Sequence, residues 1–335
     1  MGEIGTGMTG VVNVGVVGLG VMGQRMLERL RGHARLKVAS VWDANPDIVA
    51  RTVELHPELR SAETAEQMIG RPGLHSLYIA TPPAAHIRLS DAAFDAGLAV
   101  LCEKPLTVDF AAAHRTIRRI EDEKCRAAVN FSLASSKGLA ILLQAFGPDS
   151  PRPLGKLLRV DIDLALSAWP RPWQMAAGPW LSERVEGGFA REVLSHFVFV
   201  LQRVRGPAAV WGGHVVYPAD GLGAETALQA DLRVDDVLVR VTGRVDAAIV
   251  SPDRNRMAWR AQKGAITLRD WFGVTSQRTG EAEQWLGDPD AARVDGQTDQ
   301  LDQWVAMIEG REHLLPGFDE ALAVQQTIEA ILHSG

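Results

Sequence analysis

From residue 11 to about residue 133, short apolar runs alternate with segments of helical period. The runs 11–17, 36–42, 77–80, 99–102 and 127–131 read as buried strands, with helices expected near 22–31, 46–55, 84–96 and 108–122. Alternation of this kind predicts an α/β domain with a doubly wound parallel sheet, because parallel strands are joined by crossover helices that cover both faces. Thr107 is the expected N-cap of the fourth of these helices, with Asp109 in its first turn.

Beyond a proline-rich stretch at 148–153 the period changes. Val160, Ile162, Leu164 and Leu166 alternate with Arg159, Asp161, Asp163 and Ala165, as in a strand with one buried face. The same alternation runs through 228–234, passes Asp235-Asp236 and continues over 237–241, which predicts an antiparallel hairpin. Helices are expected near 188–203, 297–309 and 318–333. The chain therefore divides into a first domain over 11–133 and a C-terminal α+β domain over 134–335 with a largely antiparallel open sheet. The last helix has the option of packing back on the first domain.

Composition narrows the class without adding an element. With 46% hydrophobic and 23% charged residues the chain has the make-up of an ordinary folded domain pair, and a formal net charge of -6 works against attraction to nucleic acid or an anionic membrane surface. Cys102 and Cys125 are too few for a disulfide framework or a cysteine-rich zinc site, so free buried thiols are expected. Met1-Gly2 with Thr6 fits the loose N-myristoylation pattern, but the glycine-rich start has no apolar run and reads as a tail. No stretch approaches the length of a membrane span, and a cytoplasmic protein with a small polar ligand is the expectation.

Candidate chemistry begins directly after the first strand. Gly18-Leu19-Gly20-Val21-Met22-Gly23 opens a segment with Met22, Met26, Leu27 and Leu30 at helical spacing. In that context the three glycines permit a tight turn, a close approach of a pyrophosphate and a close packing of helix on strand, while the helix N-terminus attracts negative charge. This is the signature of a Rossmann sheet. Asp43, at the end of the second strand, stands where a carboxylate accepts from the adenosine ribose hydroxyls, with capping of the following turn as its alternative role. Its charge would repel a 2'-phosphate, and Ala44, Asn45 and Pro46 supply no cation, so NAD is expected ahead of NADP.

Two further motifs follow the third and fourth strands: Thr81-Pro82-Pro83-Ala84-Ala85-His86 and Cys102-Glu103-Lys104-Pro105. Together with the glycine turn they resemble the glucose-fructose oxidoreductase, inositol dehydrogenase and rhizopine catabolism (Gfo/Idh/MocA) family. The resemblance implies that Thr81, Pro82, Pro83 and His86 lie along the cofactor with Glu103, and that Lys104 stands at the reaction centre. It also implies a dehydrogenase acting on CH–OH groups of a sugar, cyclitol or related polar ring, assembled as a homodimer or homotetramer. A lysine suits that place, since its ammonium holds the oxygen that changes between alkoxide and carbonyl as hydride passes.

In the second half, Gly187-Gly188-Phe189-Ala190-Arg191-Glu192-Val193-Leu194-Ser195-His196 corresponds to a family motif in which Asp is followed four residues on by His. His196 matches as a general base, whereas Glu192 takes the Asp position and Leu194 the place of a glycine. The residues themselves allow a plainer reading. Arg191, Glu192, Ser195, His196, Gln202 and Arg203 fall within an arc of about 140°, as on an amphipathic surface helix. Glu192 and His196 lack a third ligand, so no metal is expected. Ahead of this helix, Trp169, Trp173 and Trp180 could wall a substrate pocket or simply pack, and Arg171 could meet an anionic substituent. Imine or activated double-bond reduction, and dinucleotide sensing without catalysis, are the alternatives to alcohol oxidation.

Overall fold

The computed structural model describes residues 10–250 and 253–334; Met1, Gly2 and Thr6 lie outside the described residues. The chain forms two compact units, one of residues 10–130 with Thr298–Asp319 and the other of Phe131–Gln297 with residues 320–334.

In the first unit, β1 (Val12–Val17), β2 (Leu36–Trp42), β3 (Ser76–Ile79), β4 (Ala99–Cys102) and β5 (Ala127–Val129) form one parallel sheet in the order β2-β1-β3-β4-β5. Strands β3 and β4 are buried along their whole length, which is why their sequence shows apolar runs without alternation. The strand order reverses at β1, where Val17 pairs with Trp42 on one side and Ile79 on the other. Loops following β1, β2 and β3 therefore emerge side by side, at the place where open α/β sheets bind ligands.

Helices α1 (Val21–Arg31), α2 (Pro46–Leu55), α3 (Ala65–Ile69), α4 (His86–Asp95) and α5 (Phe110–Glu123) connect the strands. Short α3 escapes periodicity because it has only one turn and a half. Helix α5 begins later than expected: Asp109, not Thr107, is its N-cap and accepts from the Ala112 amide at 2.9 Å. Thr107 instead accepts from the Asp109 amide at 2.8 Å and shapes the preceding turn. Cys102 is buried as expected, but Cys125 is only half-buried.

The second unit carries an eight-stranded sheet. Its strands are β6 (Leu157–Leu166), β7 (Ala209–Val216), β8 (Ala227–Val234), β9 (Val237–Val245), β10 (Arg254–Ala261), β11 (Gly264–Arg269), β12 (Gly273–Arg278) and β13 (Gln284–Trp285). They lie in the order β13-β12-β11-β10-β6-β9-β8-β7, and every neighbouring pair is antiparallel except β6 with β9. The β8–β9 hairpin turns at Asp235-Asp236 as the pattern predicts, with Val234 opposite Val237. Helix α6 (Lys137–Phe146) was not legible as a helix, since its run is too apolar to show one face; Ser136 caps it by accepting from the Leu139 amide.

Helix α7 (Ser195–Arg205) follows a single π turn at Ala190–Leu194, while α8 (Pro289–Ile308) begins well before its expected start and α9 (Phe318–Leu332) ends the described chain. The segment that returns to the first unit is Thr298–Asp319, and α9 from Glu320 onward belongs to the second. Packing explains the division. Leu301, Trp304, Val305, Met307 and Ile308 join the core built on β1, and the Trp304 indole donates to Ser76 Oγ at 3.0 Å.

Candidate functional site

The glycine turn is dictated by contacts within the first unit. Gly18 has φ +90°, and a Cβ there would lie 2.5 Å from the Ala80 carbonyl and 2.7 Å from the Thr81 nitrogen. At Gly23 a Cβ would meet Gly18 O at 1.9 Å, so helix α1 and the turn approach as closely as backbone permits. Gly20 is different: among the described residues nothing lies within 4 Å of its would-be Cβ, so none of them demands glycine there. A group approaching the N-terminal amides of α1, those of Val21 and Met22 among them, would use that space.

Asp43 has both of its anticipated roles open to test, and the structure shows one in detail. Its Oδ2 accepts from the Leu19 amide at 2.7 Å, and its Oδ1 accepts from the Asn45 amide at 2.8 Å. The carboxylate therefore ties the glycine turn to the end of β2 and also caps the turn before α2, where Asn45 in turn accepts from the Asp47 amide.

Thr81 follows β3, and its Oγ1 is buried with no hydrogen-bond partner among the described residues. Pro82 is exposed, Pro83 is buried, and Pro83–Ala85 form one 3₁₀ turn leading into α4. His86, expected along the cofactor, is only 1% exposed. Its Nδ1 lies 2.9 Å from Pro105 O and its Nε2 2.8 Å from Thr81 O, so the ring joins the two signature turns from beneath.

Glu103 is likewise 5% exposed, because its carboxylate is taken up inside the unit. Its Oε1 accepts from the Tyr78 hydroxyl in a very short bond and from Asn130 Nδ2 at 2.6 Å, while Gln300 Nε2 donates to Asn130 Oδ1 at 2.6 Å. Burial and the neighbouring Glu103 charge push the Tyr78 hydroxyl well above its ordinary pKa, so it stays a donor. The turn that follows carries half-buried Lys104, and the Lys104–Pro105 peptide is cis. Both ends of the lysine turn are thus anchored by side chains. Tyr78→Phe is expected to destabilise the protein by about 1–3 kcal/mol in denaturant unfolding, the cost of removing a donor from a buried acceptor.

In the second unit the helix bearing Glu192 and His196 is not a surface helix. Ser195, His196 and Phe197 through Leu201 are all buried. Three members of the polar arc face α9: Arg191 makes two bonds to Glu329, at 2.6 and 2.8 Å, Gln202 donates to Thr327 at 2.8 Å, and Arg203 pairs with Glu320 at 2.5 Å. The same spacing that suggested a solvated face serves a polar helix–helix seam. His196 is 4% exposed and sits edge-on between the Phe131 and Trp271 rings, at 5.4 and 5.0 Å. Neither ring was recognised from the sequence, since nothing in the local pattern marks residues 131 and 271 as neighbours of 196.

The aromatic loop holds two short 3₁₀ segments, Pro172–Ala177 and Pro179–Ser182. Trp169 donates to Leu181 O at 2.9 Å and Trp180 to Ala177 O at 3.0 Å, so these two indoles fasten the loop to itself, whereas Trp173 is 42% exposed. Arg171 lies 5.8 Å from the ring centres of Trp169 and Trp173, and its Nε is 2.6 Å from Asp253 Oδ2. Its positive charge is already met by that carboxylate. Among the described residues, no group of three or more His, Cys, Asp or Glu could hold a metal ion, and no helix is long and apolar enough to cross a membrane.

A reversing parallel sheet with a glycine turn at the switch point, followed by a largely antiparallel sheet unit, has the architecture of a Rossmann domain joined to an α+β domain. Residues 12–131 match the model of the Gfo/Idh/MocA oxidoreductase family with an NAD-binding Rossmann fold. Among solved structures, an oxidoreductase from Thermotoga maritima is 13% identical, with 97% of this chain and 96% of that one covered at a TM-score of 0.80. A protein from gentamicin A biosynthesis solved with NAD is 20% identical over 100% and 97% of the two chains, with a TM-score of 0.78. A 3-ketoreductase from Actinomadura kijaniata, solved with NADP and TDP-benzene, is 17% identical over 97% and 98%, also at 0.78. Comparison with the curated proteins gives no match.

Proposed function

We propose that this oxidoreductase transfers hydride between a secondary alcohol or ketone of a sugar, cyclitol or related polar ring and a nicotinamide dinucleotide, with NAD preferred. The observation that carries the reading is the anchoring of the lysine turn. Tyr78 and Asn130 hold Glu103 on one side of Lys104, and His86 holds the Pro105 carbonyl on the other. A fixed backbone around one cationic side chain is what pre-organised stabilisation of a developing alkoxide requires.

The residues present fit a dinucleotide: the backbone cradle at Gly18, the open space at Gly20 and the buried Thr81 hydroxyl all lie on loops after β1 and β3. Gly20, Val21 and Met22 would meet the pyrophosphate, and Asp43 the adenosine ribose. Bound there, the nicotinamide supplies the hydride acceptor or donor. Lys104 Nζ then donates to the substrate oxygen, and His196 takes the hydroxyl proton in the oxidation direction and returns it in reduction. Glu192, one turn before His196, orients the base. A 3-ketoreductase and a protein from gentamicin A biosynthesis among the similar folds are in keeping with a polar ring as substrate.

The test is a turnover screen with NAD and NADP against polyols, cyclitols, sugars and cyclic imines. Oxidation of a ring alcohol supports the proposal, turnover of imines alone redirects it to the reductase reading, and dinucleotide binding with no turnover overturns it in favour of a sensor. In calorimetric titration NAD is expected to bind at least tenfold tighter than NADP, since ~1.4 kcal/mol of repulsion between Asp43 and a 2'-phosphate gives that ratio. Equal affinities would remove Asp43 from the specificity role.

A further inference from the structure

The double glycine before the π turn has a partner far along the chain. Gly188, at φ +106°, could not carry a side chain, because its Cβ would fall 2.2 Å from Glu225 Oε2. Glu225 stands just ahead of β8 and is 1% exposed. Its Oε1 accepts from the Ala190 amide at 2.7 Å, the first residue of the π turn, and its Oε2 is buried with no hydrogen-bond partner among the described residues.

The charged groups around Glu225 do not neutralise it. Arg191 spends Nε and Nη2 on Glu329 and Nη1 on the Arg184 and Gly187 carbonyls. Glu329 itself adds negative charge nearby, and Tyr217 is a neutral phenol whose ring carries the Arg184 guanidinium at 3.8 Å. An ionised Glu225 would thus be a buried carboxylate for which the Ala190 amide, its own amide and the Arg191 charge recover only part of the lost hydration.

We propose that Glu225 is a positioning residue for Glu192 and His196: its carboxyl group, seated against Gly188 and bonded to Ala190, holds the π turn closed when protonated and loosens it when ionised. This rests on the oxidoreductase reading only in calling Glu192 and His196 functional. Burial pushes the Glu225 carboxyl up to about 7. A carboxyl raised in the folded state stabilises fully below its ordinary value of 4.5, and that contribution is lost as the pH rises through about 7. Opening of the turn, which hydrates the group, becomes easier over the same window.

The decisive measurement is amide hydrogen exchange at residues 190–196 from pH 4.5 to 8.5, corrected for the intrinsic rate, in the wild type, Glu225→Gln and Gly188→Ala. In the wild type, protection is expected to fall at least tenfold between pH 4.5 and 7 and then level. In Glu225→Gln, which keeps an acceptor for Ala190 but cannot ionise, it is expected to stay flat. Gly188→Ala displaces the carboxyl group and lowers protection at every pH. Flat protection in the wild type, an unchanged pH dependence in Glu225→Gln, or a change at Ala190 that does not reach Glu192 and His196 would each overturn the proposal. Exchange needs no substrate, so this result stands apart from the turnover screen. Where turnover is found, kcat is expected to decline above about pH 7 in the wild type and not in Glu225→Gln; an identical decline in both also overturns it.

Discussion

Replacing Lys104 with alanine is expected to lower kcat by a hundredfold or more while the dissociation constant for NAD stays within about threefold. Loss of one preorganised donor to a developing oxyanion costs on the order of 10²–10³ in kcat, whereas in the proposed binding mode cofactor affinity would be shared among the glycine-turn backbone, Asp43 and Thr81. The split between the two readouts is what the anchoring predicts. Glu103 and His86 fix the turn without using the lysine side chain, so the alanine variant should keep the fold of that turn. Stopped-flow turnover and calorimetry on the same preparation check this. Near-normal turnover would make Lys104 structural, and a parallel loss of NAD affinity would make it a cofactor ligand in place of a catalytic group.

His196→Asn is expected to remove most of kcat, about a hundredfold or more, and with it the acidic limb of the pH profile for alcohol oxidation. The imidazole accepts a proton only when neutral, so oxidation falls at low pH along the titration of the base. Asparagine keeps a planar polar group between the Phe131 and Trp271 rings, which limits the packing loss at a site that is 4% exposed. The measurement is kcat/KM against pH for the two proteins on one active alcohol. An acidic limb that survives in His196→Asn would mean that another group titrates, and the helix would then serve only its seam with α9.

The sequence by itself determined those features that depend on residues close along the chain. Parallel strands buried on both faces appear as apolar runs, one-faced strands as alternation, and the glycine turn as a motif at the junction of strand and helix. Hence β1 to β5, the β8–β9 hairpin and the three signature turns were legible from the letters. Tertiary structure alone decided what lies against what. The spacing of Arg191, Gln202 and Arg203 is the same for a helix facing water and for one facing Glu329, Thr327 and Glu320, and only packing tells the two apart. His86 and Glu103 are buried supports of the turns, and that was not legible because their partners Pro105, Tyr78 and Asn130 come from other strands and loops. Glu225 was illegible for the same reason: a lone carboxylate before a strand looks solvated, and its burial follows from a space that Gly188, 37 positions earlier, leaves open. Local sequence encodes backbone conformation through short-range sterics and periodicity, whereas the environment of a polar side chain depends on contacts between segments that only the folded chain brings together.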